Sequence, residues 1–278
     1  MIRVCCYWFA FLALFLGSEL VVGNDQFAAR RGNKVIPYRT IMVDQTGWRG
    51  NFSNIQSAID SVPSNNRHWV CIKVRAGTYR EKLKIPYDKP YIILLGEGMR
   101  RTLVVWDDHG KLSESPTLES MANNVVVKFI SFRNSYNNPI NRNPRTQAVA
   151  ARIGGDKSYF YNVGFFGLQD TLWDDHGRHY YELCTFQGAV DFIFGNGQSI
   201  FETCSISVIG PGFITAQARS SPHDTSGFVF KNCNIFGNGT TYLGRPWRSY
   251  ARVVFYNTKM SNIVQPKGWH PSRSIGHE

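Results

Sequence analysis

The sequence predicts an all-β solenoid, a parallel β-helix with one helix capping its N-terminal end. Three observations predict it. A six-residue pattern recurs, with an aromatic or aliphatic residue first, Val, Cys, Ile or Thr fourth, and Phe, Ile or Met sixth. It appears at Val127–Phe132, Phe160–Phe165, Tyr181–Phe186, Phe201–Ile206, Phe230–Ile235 and Phe255–Met260. Taking the fourth position as a marker (Ile130, Val163, Cys184, Cys204, Cys233, Thr258), the intervals are 33, 21, 20, 29 and 25 residues, which fits coils near 20 residues with loop insertions. The segments are short, rich in Val, Ile, Phe and Tyr, and separated by Gly, Asn and Asp, as strands are. Finally, Val163 to Asp170 and Cys184 to Asp191 are both seven residues. An antiparallel sandwich would also show short strands with turns, but it does not require equal offsets to chemically useful residues.

In chain order, residues 1–23 read as a secretory signal. Arg3 supplies the charge, Val4–Leu16 the apolar run, and Gly23 a small residue for cleavage. The run is too short for a comfortable membrane span, and no later segment is apolar enough to make one. Residues 24–42 form an N-terminal extension, and the solenoid domain spans 43–278. Ser53 and Gln56 with the stripe Ile55, Ala58, Ile59 and Val62 before Pro63 predict a capped helix at the end of the solenoid. Asn162, Asn232 and Asn257 recur at the third repeat position, as tight turns or side-chain ladders require.

Four cysteines follow the signal: Cys71, Cys184, Cys204 and Cys233. Cys184 and Cys204 share a repeat position on successive coils, within disulfide range at a rung spacing of ~4.8 Å. Secretion favours a bridge, and a buried column of free thiols is the competing arrangement. Asn51 and Asn238 each start an N-glycosylation sequon. The formal charge is +11 and the pI ≈ 9.5. The basic residues are scattered without a long run, which argues against nucleic acid as a partner. A secreted basic protein suits an acidic extracellular polymer, although charge can also serve solubility alone.

The chemistry centres on Asp170 and Asp191. Equal repeat offsets place them on neighbouring rungs, where two carboxylates drive their pKa values apart and yield an acid and a base, or an acid and a nucleophile. Asp is common in turns, but Asp191 lies between Val190 and Phe192-Ile-Phe194, an apolar setting that calls for a cation or several donors. Arg245, two coils on, is the candidate partner. Gln147 and Gln169 can supply oxyanion donors. Trp173, Phe192 and Trp247 can stack on sugar rings or pack in the core.

Five stretches in order resemble plant-type pectin methylesterases: Gly77-Thr-Tyr79-Arg-Glu81, Gln147-Ala-Val-Ala150, Gln169-Asp-Thr-Leu172, Asp191-Phe-Ile-Phe-Gly195 and Leu243-Gly-Arg-Pro-Trp247. The resemblance covers about Val43 to Trp269. It implies a right-handed single-stranded parallel β-helix, no metal or organic cofactor, and hydrolysis of the C6 methyl esters of galacturonate units in pectin. It implies Asp191 as nucleophile, Asp170 as acid and then base, and Gln147 and Gln169 at the oxyanion. Arg245 would orient Asp191 and keep it ionised. Trp247 would contact the substrate, with Gln147, Arg245, Trp173 and Phe192 beside it. Pectin is the expected partner, a proteinaceous pectinesterase inhibitor a second one, and a monomer the expected state in the cell wall.

The chain departs from the family's pattern in three ways. The short class without an inhibitor-like pro-domain is the one it resembles. Trp173 stands where the family has Tyr. Members continue past the Gly268-Trp269 seen here, so a missing last coil and lower stability are expected. A truncated, weakly active or inactive pectin-binding homologue is the alternative function. A pectin-cleaving glycoside hydrolase is the rival enzyme, because Trp106-Asp-Asp-His-Gly110 recurs as Trp173-Asp-Asp-His-Gly177 and paired Asp with a nearby His would suit it. A zinc site at His176 and His179 lacks a third ligand.

Overall fold

The computed structural model describes residues 36–272. The signal, most of the N-terminal extension and the end of the polar tail lie outside the described residues. Every strand pair is parallel, and successive coils add one rung at a time. The first face is a nine-stranded sheet that runs from Arg39–Val43 to Val253–Tyr256. A second face stacks Gly164–Phe166 on the start of Thr185–Gly195 and then on the start of Ser205–Gln217. A third stacks Ala151–Ile153, Leu172–Asp174 and the ends of the same two long strands. The all-β solenoid read from the sequence is therefore the observed architecture.

The repeat positions explain the packing. First-position rings form an internal column, Phe160–Tyr181–Phe201–Phe230–Phe255, with centroids 4.8, 4.7, 4.4 and 4.6 Å apart. Sixth-position Phe132, Phe165 and Phe186 stack beside it. Aromatic stacking adds ~0.5–1.5 kcal/mol per pair to the burial of the rings. The third position is the corner between the first and second faces. Phe129, Asn162, Leu183, Thr203, Asn232 and Asn257 all have φ between 46° and 56° there. Asn tolerates that left-handed conformation, and Asn257 Nδ2 also donates to Asn232 Oδ1 at 2.7 Å.

The earlier coils, through Val70–Val74 and Ile92–Leu95, escape the six-residue pattern. Val70–Val74 reaches the second face through Arg75-Ala76, neither of them left-handed, and Ile92–Leu95 through the longer connection Gly96–Arg101. The predicted helix is present as Ile55–Asp60, with Ile55, Ala58 and Ile59 buried against the first coils. Its cap is Asn54 rather than Ser53: the Asn54 side chain accepts from Ser57 N at 2.8 Å. Glu81 accepts from the first free amides, Ile55 N and Gln56 N. A carboxylate there complements the helix terminus. Thus Glu81 in Gly77-Thr-Tyr79-Arg-Glu81 ties the capping helix down.

The expected Cys184–Cys204 bridge is corrected: all four described cysteines are free and buried. The thiols of Cys184, Cys204 and Cys233 form the inward column that was the competing arrangement. Each of the three is aimed at the carbonyl two residues back and at a carbonyl one coil earlier. Cys184 Sγ, for example, lies 3.4 Å from both Glu182 O and Phe160 O. Cys204 and Cys233 repeat the pattern, and Thr258 repeats it with a hydroxyl. The position takes a small buried donor, and sulfur serves as one without oxidation.

Candidate active site

The carboxylates sit at the second corner of their coils, between the second and third faces. The parallel bridge Gln169↔Val190 and the bond from Asp170 N to Val190 O (3.0 Å) set Asp170 directly beside the coil of Asp191. Both aspartates are left-handed, with φ 60° and 48°. One coil earlier, Ala148 N donates to Gln169 O, so Gln147 flanks the same corner. The side-chain amides of Gln147 and Gln169 are half-buried, and neither has a protein partner among the described residues. They are free to donate to a ligand.

Asp170 is 6% exposed, and no protein donor among the described residues bonds its carboxyl. Burial, followed by the charge of Asp191, pushes its pKa up to about 7, with Arg245 opposing. Asp191 has a different environment. Arg245 Nε donates to Asp191 Oδ1 at 2.9 Å and Nη2 donates to Oδ2, a forked pair that fixes the carboxylate plane. Arg245 is carried by the third-face strand Thr241–Gly244, two coils beyond Asp191. Its guanidinium rests 4.5 Å from the ring of Phe213 on the intervening coil. Two neighbouring carboxyls thus differ in role: one held neutral-prone by burial, one oriented by a permanent cation.

An aromatic wall stands beside the third face. Trp173 stacks on Phe194 at 5.8 Å, and Phe194 meets Trp247 at the same distance. Trp247 is 42% exposed and open to a ligand. Trp173 is half-buried beneath the Arg152 guanidinium, 4.2 Å from its ring. Phe192 is corrected: it is fully buried and cannot touch substrate. A Cβ on Gly188 would overlap the Phe192 Cβ, so this glycine makes room for the ring to turn inward. Sequence reasoning missed Phe213 and Phe194. Phe194 was within the Asp191 motif, whereas nothing near Phe213 marks it as a neighbour of Arg245.

The repeated Trp-Asp-Asp-His-Gly stretch does not form a repeated site. Trp106 ends a second-face strand, and Asp107 and Asp108 pair at the surface with Arg80 and Lys82. Trp173 lies within a third-face strand, and the next Asp, Asp174, is fully buried against His179 Nδ1 at 2.8 Å. The glycosidase reading therefore loses the paired loops it relied on. His176 is exposed while His179 is buried, so the two do not converge, and the described residues hold no cluster suited to a metal ion.

The Pectinesterase family profile matches residues 40–275. The chain belongs to the pectinesterase family. It is 58% identical over 249 residues to probable pectinesterase 29 of Arabidopsis thaliana, covering 86% of this chain and 74% of that one. It is 56% identical to probable pectinesterase 55 of the same plant, covering 86% and 75%. Among solved structures, a pectin methylesterase from carrot superposes with TM-score 0.79 at 29% identity, covering 83% of this chain and 76% of that one. The Aspergillus niger enzyme in deglycosylated form gives 0.75 at 33%, covering 83% and 79%. Membership makes this chain a carboxylic ester hydrolase, and the superposition confirms the right-handed parallel β-helix.

Proposed function

We propose that this pectinesterase removes the C6 methyl esters of galacturonate units in pectin, with Asp191 as nucleophile and Asp170 as proton donor and then base. The observation that carries the assignment is the contrast between the two carboxyls. Asp191 is oriented by Arg245, and Asp170 is buried with a pKa near neutrality. An Asp191 oxygen attacks the ester carbonyl carbon, and the developing oxyanion is met by the free amides of Gln147 and Gln169. Collapse breaks the carbon–methoxy bond while Asp170 gives its proton to the departing oxygen, releasing methanol. The deprotonated Asp170 then takes a proton from water as the water attacks the acyl-enzyme. Galacturonate leaves, Asp191 is regenerated, and Asp170 is protonated again. Trp247 and Trp173 flank the sugar chain.

Residues 1–23 direct secretion, 24–42 lead into the domain of 43–278, and the enzyme works as a monomer on the cell wall. Asn51 and Asn238 are exposed, as glycan acceptors must be. A proteinaceous inhibitor of the family is a partner for the same cleft. Among the described residues, no helix is long and apolar enough to cross a membrane. The test is expression in a secreting host, with methanol and reducing ends measured from highly methylated pectin. Methanol without new reducing ends is expected. New reducing ends without methanol would replace the esterase reading with chain cleavage.

A further inference from the structure

The guanidinium that grips Asp191 rests on a platform of rings. Gln169, Val190, Phe213 and Tyr242 are register partners on four successive coils, and all four are partly exposed. Gln169 and Val190 immediately precede Asp170 and Asp191. Phe213 holds the next place in that row, one coil beyond Val190, so its ring lies beside the catalytic corner. The Tyr242 ring stacks on it, with centroids 5.7 Å apart. Arg245 directly follows the strand that carries Tyr242, and its guanidinium covers the Phe213 ring at 4.5 Å.

A third ring closes the platform. His270 meets Phe213 at 5.4 Å and Tyr242 at 5.2 Å, steeply inclined to both at 67° and 75°. Its backbone is latched to the strand of Tyr242. Gly244 bridges to Trp269, and His270 N donates to Gly244 O at 3.1 Å. Gly244 is the residue before Arg245. Ser272 N donates to His270 Nδ1 at 3.1 Å, which sets the turn of the imidazole. His270 thus touches both the backbone that launches Arg245 and the ring that receives its guanidinium.

This support answers a need of the reaction. The Arg245 side chain is 38% exposed, and a side chain of that length has much rotamer freedom to lose when it is fixed. The carboxylate of Asp191 fixes it while the enzyme is free. In the acyl-enzyme, Asp191 carries the acyl group and no longer offers a negative charge. The ring face of Phe213 still attracts the guanidinium then, because its quadrupole does not change during turnover.

We propose that Phe213 and His270 are positioning residues for the esterase reaction: Phe213 bears the Arg245 guanidinium, and His270 holds the Phe213 ring in place. The proposal rests on the reading of Asp191 as nucleophile. Both residues act through Arg245.

The test is methanol release from highly methylated pectin by variants that melt like the wild type. Phe213→Leu keeps an apolar side chain but removes the ring face. It should lower kcat about two- to fivefold, the range that a partly exposed cation–π contact supports. Phe213→Tyr keeps the ring and should retain most of the rate. His270→Leu should lower kcat in the same direction, and His270→Phe should restore it, a pair that decides the matter even if Phe213→Leu does not fold. A double-mutant cycle with Arg245→Gln supplies the sharper readout. Rings that act through Arg245 leave no further loss for Phe213→Leu in that background. An unchanged kcat in Phe213→Leu or in His270→Leu overturns the proposal. So does an equal loss with and without the arginine, which is what a merely structural role produces. A wild-type rate in Arg245→Gln alone would sink the nucleophile reading together with the platform. A large loss there beside unchanged Leu variants would remove the platform alone.

Discussion

The corner leaving the first face and the corner leaving the second share a backbone geometry. At the first, six successive coils place one left-handed residue, drawn from Phe, Asn, Leu and Thr. At the second, two successive coils place a left-handed Asp. A left-handed non-glycine residue costs ~1–3 kcal/mol, which the surrounding structure must hold in place. At the first corner the conformation merely turns the chain, so the side chain is free to vary and Phe129 serves as well as Asn162. At the second it sets two carboxyls on adjacent rungs, where each alters the other. The same turn is a joint in one place and an instrument in the other. Substitutions that respect the geometry should therefore affect stability at the first corner and chemistry at the second.

The largest effect is expected at Asp191. Asn keeps the left-handed conformation and nearly the same shape, but it cannot attack an ester carbonyl. Asp191→Asn should lower kcat by roughly 10³-fold or more, because no other carboxylate is placed to substitute. Methanol release and a thermal melt decide it. More than a tenth of the wild-type rate from a normally melting variant removes Asp191 from the nucleophile's role. Arg245→Lys comes next, at about 10–100-fold in kcat/KM, since an ammonium cannot grip both carboxylate oxygens. An unchanged rate with an unchanged acid limb of the pH profile would show that the forked pair is dispensable.

Asp170 joins the two corners, because its burial affects both chemistry and stability. The folded pKa of about 7 lies above the ordinary carboxyl value of 3.8. The folded state therefore binds more protons than the unfolded state between those values, and stability falls as pH rises from about 4 to about 7, then levels off. The rise of about three units corresponds to about 4 kcal/mol as an order of magnitude. Asp170→Asn removes the titration. Its stability relative to the wild type should grow across that interval, while its methanol release collapses. In the wild type, kcat/KM should fall above pH 7 as the proton donor is lost. A constant stability difference between pH 4 and 8 would mean that Asp170 titrates as an ordinary surface carboxyl.

How far the sequence revealed these corners follows from what each one leaves in it. The first-corner repeat was legible because inward rings and small fourth-position residues must recur wherever coils stack. It faded before Val127, where one corner, Arg75-Ala76, has no left-handed residue and the next is the longer connection Gly96–Arg101. Asp170, Asp191 and Arg245 were legible because a fixed register turns equal spacing into adjacency. Phe192 was misplaced among the candidate contacts because alternation along a strand cannot say which side a residue faces once a bulge intervenes. The pairing of Val190 with Phe213, followed by Ile193 with Thr215, marks such an irregularity. The thiol column was ranked below a disulfide for another reason. Rung spacing permits a disulfide, but it does not reveal the carbonyls that occupy each sulfur.

The smallest predicted effect isolates the first corner. Leu183 is left-handed with φ 54° and 41% exposed, so its side chain contributes little packing to offset the conformation. Asn adopts that region more readily than Leu. Asn162 occupies the equivalent corner one coil earlier, and Asn257 shows how such a residue bonds its neighbour, donating to Asn232 at 2.7 Å. Leu183→Asn should therefore relieve strain and extend the side-chain ladder, raising stability by about 0.5–1 kcal/mol. Denaturant melts at constant m-value would register the gain as a higher midpoint. The rate of methanol release should stay within error of the wild type, because Leu183 touches neither carboxyl. A destabilised Asn variant would show that the corner depends on the apolar side chain of Leu183 rather than on its backbone. A stabilised variant with altered kcat would show that the two corners are coupled, against the separation drawn from their side chains.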